Sequence, residues 1–62
     1  MNKSEARELD NVRRYVAAGM PDTAARALSA LVRATRKRTT SAELMTHAVT
    51  LNLLHRPEFI VR

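Results

Sequence analysis

Apolar side chains recur every three or four positions in three runs of this chain, and nowhere do they alternate with polar ones between turn residues. A period near 3.6 marks amphipathic helices and a period of two marks half-buried strands, so the chain reads as all-α. Few residues interrupt the runs. The one glycine and the first of two prolines stand together in Gly19-Met20-Pro21. Glycine there suits a helix end, and proline a first helical turn. Arg38-Thr39-Thr40-Ser41 breaks the period again, and Pro57 stops it. The expected fold is a small three-helix domain filling 1–62, with helices over about 4–18, 21–37 and 41–55 and an extended apolar tail over 56–62.

The chain has 62 residues and no cysteine, so no disulfide or thiolate metal site can reinforce it. A domain of about 60 residues buries only about 60% of the surface its unfolded chain exposes. Small helical chains often complete their core by association, which raises the expectation of a homodimer or a protein partner. No run approaches the roughly 18 apolar residues of a membrane span. The opening MNKSEARELD lacks the apolar centre of a secretion signal, so a cytoplasmic protein with no membrane partner is expected.

Placing residues 100° apart sorts each helix into faces. In the first, Leu9, Val12, Val16 and Met20 share one side with Tyr15 at its flank. Asn2-Lys3-Ser4-Glu5 offers a capping box, or Ser4 a simple cap, and Asp10 is spaced to pair with Arg13 or Arg14. The second helix has two packable sides: Ala24, Ala25, Leu28, Leu31, Val32 and Thr35 on one, and the small Thr23, Ala27, Ala30 and Ala34 on another. Alanine also simply favours helix. Thr40-Ser41-Ala42-Glu43 is expected to open the third helix as a capping box. There Leu44, Ala48, Leu51 and Leu54 form one side and Met45, Val49 and Leu53 the opposite one. One strip should face the core. The other is left for a second subunit, a partner protein or the apolar tail, so Met45, Val49, Leu53, Phe59 and Ile60 are the candidate interface residues, with Val61 beside them in the tail.

Net charge is +5, and all of it lies in one stretch. Residues 1–22 carry four cations and four acids, and residues 39–62 two of each. Residues 23–38 hold Arg26, Arg33, Arg36, Lys37 and Arg38 with no acid. Cations near a helix C-terminus complement its dipole, which accounts for Arg36 and Lys37. It accounts neither for Arg26 nor for the missing acids. Arg26, Arg33 and Lys37 align on one helical side with Arg36 and Arg38 flanking, a pattern that can follow a nucleic-acid backbone and also suits an acidic protein surface.

The run Ala17 to Leu28 resembles the turn of a helix-turn-helix motif, with Gly19 in the turn, apolar Met20 after it, and Ala25 and Leu28 in the second helix. The resemblance implies that Asp22, Thr23 and Arg26 face base edges. It departs from the pattern at Arg14 and Tyr15, where an apolar and a small residue are usual, and Asp22 would repel phosphate. Tyr15, Gly19, Ala24, Leu28 and Leu31 also resemble a single tetratricopeptide hairpin, though no second copy follows. Both resemblances imply a tight helical hairpin. A ribbon-helix-helix reader would need an N-terminal strand, which has no signal here.

Little in the chain suggests catalysis. His47 and His55 are eight apart, too far for paired metal ligands at adjacent turns, and are expected half-buried beside the leucines. Glu43 and His47 are spaced for a surface hydrogen bond. There is no glycine-rich phosphate loop and no carboxylate cluster. The expectation is a non-enzymatic protein without metal, cofactor or small-molecule substrate. It would bind and regulate nucleic acid, most simply DNA, through the basic side of helix 2. The alternative is an interaction module or small inhibitor, of the kind found among phage and mobile-element accessory proteins, that docks an apolar helix face on a protein.

Overall fold

The computed structural model describes residues 1–36, 38 and 40–59. Three α-helices follow one another, α1 over Lys3–Ala17, α2 over Pro21–Ala34 and α3 over Thr40–Thr50, and a short 3-10 turn, η1, covers Pro57–Phe59. No strand occurs among the described residues, and no helix is long and apolar enough to cross a membrane.

Helix α1 starts as a capping box. Asn2 Oδ1 accepts from the Glu5 N–H at 2.8 Å, and Glu5 Oε1 accepts from the Asn2 N–H at 2.9 Å. The helix ends at Ala17, and Gly19, just past the cap residue Ala18, takes a φ of 77° that is open to glycine without strain. The Gly19 N–H bonds back to the Val16 carbonyl at 3.1 Å and the Met20 N–H to the Tyr15 carbonyl at 2.8 Å. This pairing is the Schellman motif, which satisfies the last carbonyls and reverses the chain into Pro21. Met20 thus sits beyond the helix and is largely exposed rather than on the buried side of α1. The Asp10–Arg14 pair forms at 3.1 Å.

Helix α3 departs from expectation at both ends. Thr40 is itself the first helical residue, so it does not stand in the half-helical position from which a threonine caps, and it makes no bond to the Glu43 amide. The helix stops at Thr50, well short of 55, because Asn52 takes the left-handed conformation at φ 59°. Asn52 and Leu53 donate to the carbonyls of Val49 at 3.1 Å and Ala48 at 2.9 Å, a second Schellman motif with asparagine in the glycine position. Its usual apolar contact forms here too: Leu53 swings back and is fully buried with Ala48. Leu53 is therefore core and does not extend the outer strip of Met45 and Val49. The residues after it turn rather than extend, as the 3-10 bonding of Arg56 to Phe59 shows. Ile60 and Val61 lie outside the described residues.

The core is Leu9 and Val12 of α1, Ala24, Ala25 and Leu28 of α2, Leu44 and Ala48 of α3, and Leu53. Tyr15, Val16, Leu31, Val32, Leu51, Leu54 and Phe59 pack around it. Ala24 and Ala25 let α1 lie close on α2. The second small strip is used in part: Ala27 packs on the core and Thr23 is half-buried, while Ala30 and Ala34 face solvent. The C-terminal segment runs instead along the line Asp22, Arg26 and Ser29. Arg56 pairs with Asp22 at 3.5 Å, Glu58 pairs with Arg26 at 3.5 Å, and the Ser29 hydroxyl donates to the Glu58 carbonyl at 3.1 Å. Spacings of four and three keep these residues on one side of the helix.

Two positions four residues apart should respond very differently. Leu53→Ala is expected to lower the unfolding free energy by about 2–5 kcal/mol. Val49→Ala, at a site 58% exposed, is expected to change it by less than about 0.5 kcal/mol. Urea unfolding followed by circular dichroism measures both.

Candidate nucleic-acid interface

The basic stretch straddles a helix end. Arg26 and Arg33 project from α2, which closes at Ala34, so the expected helical stripe stops at Arg33. The end is made locally by Thr35. Its N–H bonds the carbonyls of Leu31 at 3.1 Å and Val32 at 3.2 Å, and its hydroxyl donates to the same two at 3.0 and 3.2 Å. These bonds take up carbonyls that a longer helix would have used. Arg36 and Arg38 follow in a turn held by the Arg38 N–H on the Thr35 carbonyl. Lys37 lies outside the described residues.

Acids from elsewhere in the chain neutralise part of this charge. Glu58 meets Arg26, whose side chain is still 72% exposed, and Glu5 meets Arg38. The Arg33 side chain makes only a long bond from Nε to the Ser29 carbonyl, 3.5 Å, and the Arg36 side chain makes none among the described residues. Among the described residues neither has an ion-pair partner. The sequence shows no acid within 23–38, and the fold brings two in, from the first turn of α1 and from η1. Both were hard to see in advance. Glu5 already has a local role in the capping box, and Glu58 sits in what reads as an apolar tail. The residues that a helix-turn-helix would aim at bases are also engaged: Asp22 holds Arg56, Arg26 holds Glu58, and Thr23 is half-buried.

The two unpaired arginines border a cleft of about 300 Å³ between α2, the start of α3 and η1. Val32, Met45 and Phe59 give it apolar walls, and Ser29, Ser41 and Glu58 add polar groups. Glu58 Oε2 is buried and accepts from no donor among the described residues. Of the candidate partner-interface residues, Met45 is 38% exposed and shares the outer side of α3 with Val49. Phe59 is half-buried against the core, so the tail does fold back, at least to this residue.

The histidines lie apart from the cleft lining. The expected Glu43–His47 bond does not form; His47 Nδ1 is 3.4 Å from an Arg13 guanidinium nitrogen instead. His55 is exposed rather than half-buried. Among the described residues no three His, Cys, Asp or Glu side chains group as a metal site would require.

The Glu5 carboxyl, bonded to the Asn2 amide and paired with Arg38, makes the stability of the fold sensitive to pH. The Asn2 N–H and then the Arg38 guanidinium hold the Glu5 carboxyl below its ordinary value near 4.5, against the opposing pull of burial. A carboxyl depressed in the folded state adds stability above its unfolded pKa and loses it as pH falls through the folded one. Unfolding experiments are therefore expected to show stability declining as pH drops below about 4.5, with a shallower decline in Glu5→Gln.

Compared with protein-family models, curated protein sequences and solved structures, the chain matches none.

Proposed function

We propose that this chain is a small non-enzymatic binding domain that holds nucleic acid through the basic end of α2, most of the contact going to phosphates. The observation that carries this reading is the exposed pair Arg33 and Arg36, which have no acid among the described residues while Arg26 and Arg38 each have one. Residues 23–38 hold five cations and no acid, and with Glu58 and Glu5 folded against two of them the stretch keeps a surplus of positive charge that draws a polyanion over a distance of about a Debye length. Two unpaired arginines neutralise about two phosphates, which sets the salt dependence on a duplex at a log–log slope of about −2. Anisotropy titrations of labelled random oligonucleotides, single-stranded and duplex, at several salt concentrations test it. Arg33→Ala with Arg36→Ala is expected to weaken binding across all sequences and leave the helical signal intact. Unchanged affinity in that double variant refutes the reading.

A second reading rests on Val49 and Met45, an exposed apolar pair one turn apart on α3. It makes this face a contact for a protein partner or a second copy. Sedimentation equilibrium is expected to show association that Val49→Asp abolishes without loss of helix.

A further inference from the structure

We propose that the cleft between α2, the start of α3 and η1 takes one unpaired nucleotide of a single strand, with its phosphate at Arg33 and Arg36 and its base over Phe59. The inference rests on the nucleic-acid reading above and narrows it from backbone binding to a kind of strand.

Shape is the first reason. Because α2 stops at Ala34, Arg36 does not continue a straight stripe but stands with Arg33 at the edge of a hollow. A duplex keeps its bases stacked inside a convex cylinder and offers only phosphates to such a hollow. A single strand can turn a base into it. The volume, about 300 Å³, is at the small end of the range for ligand sites, about 300–1,000 Å³, and suits one nucleotide rather than several.

The walls are the second reason. Val32, Met45 and the ring of Phe59 form an apolar surface beside the two cations. An aromatic next to arginines is how proteins hold unpaired bases, since every base has a face to stack. The third reason is Glu58. Its Oε1 is balanced by Arg26, while Oε2, which is buried, lacks a hydrogen-bond partner among the described residues. A modest turn of the Glu58 side chain toward the cleft would let Oε2 accept from a base amino group, such as cytosine N4, which thymine does not have. The phosphate then stays at the arginine side, away from this carboxylate. A polyanion also gains from the exposed Arg26 that pairs with Glu58, which a single acidic side chain of a peptide would not.

The test is an anisotropy titration of the full chain, at about 50 mM salt, with labelled dC12, dT12 and a 12-base-pair duplex. Single strands are expected to bind at least tenfold more tightly than the duplex, and dC12 severalfold more tightly than dT12. Phe59→Leu should cost single-strand affinity about tenfold, from the worth of one stacked base, and leave duplex affinity as it was. Phe59 also packs on the core, so Met45→Glu, at an exposed position, repeats the test without disturbing the fold, read as the ratio of single-strand to duplex affinity because the added charge beside the arginines weakens both. Equal binding of single strand and duplex, or an unchanged ratio in Met45→Glu, would overturn the cleft while leaving backbone binding in place. dC12 no tighter than dT12 would overturn the Glu58 contact. Polyglutamate that displaces dC12 as well as unlabelled dC12 does would make the occupant an acidic peptide instead. Failure of every oligonucleotide to bind would bring down the backbone reading itself.

Discussion

Burial of the apolar side of α2 is what the other elements depend on. Ala24, Ala25 and Leu28 are all fully buried, and α1, α3 and the C-terminal segment reach the core through them. Two small residues beside one large one give α1 a close approach while Leu28 fills the centre. Burying a leucine is worth about 1.5–3 kcal/mol, and a chain of this size has a net stability of only about 3–9 kcal/mol. Each of Leu28, Leu44 and Leu53 therefore matters to whether the fold exists at all. The remaining sides of α2 are then free for polar work. One, carrying Asp22, Arg26 and Ser29, fastens the segment that ends in η1, and another turns Arg33 to the cleft.

The same arrangement decides which charges are available. A basic run of five looks uniform along the chain, yet the fold sorts its described members by what stands opposite them. Arg38 lies over the buried carboxylate of Glu5 and Arg26 over Glu58, so each performs a structural task. Exposed ion pairs are weak, about 0–1 kcal/mol, and Arg26 remains open to solvent. Glu5 is a tighter case, because its carboxylate is buried and already bonded to a backbone amide. What is left over is local, a pair of guanidinium groups at the edge of a hollow.

Much of the fold was legible in the sequence because its causes are local. The α1 box at Asn2 and Glu5, the reversal at Gly19 and the start of α2 at Pro21 each follow from a few adjacent residues. The buried sides of α1 and α2 follow from period alone. Part of what was not legible depends on one residue whose effect is not local. Asn52 adopts a conformation that asparagine tolerates but does not announce, and the leucines around it continue the helical pattern. That single turn moves Leu53 from the outer strip to the core and sends Pro57–Phe59 back along α2. The partners of Arg26 and Arg38, residues 58 and 5, are far away in sequence, so counting charges within a segment could not find them.

The three-residue link between α1 and α2 also shapes how the chain reaches this state. Helices joined so closely meet after closing only a short loop, and proteins rich in such local contacts fold fast, in microseconds to milliseconds. The α1–α2 hairpin can form with little loss of chain entropy, whereas η1 reaches α2 only after a loop of about thirty residues has closed. The segment is then held by two ion pairs of 3.5 Å and one hydroxyl bond, with Phe59 half-buried. Amide hydrogens between Leu54 and Phe59 should therefore exchange through partial openings that leave the hairpin intact, while those of Val12 and Leu28 wait for global unfolding.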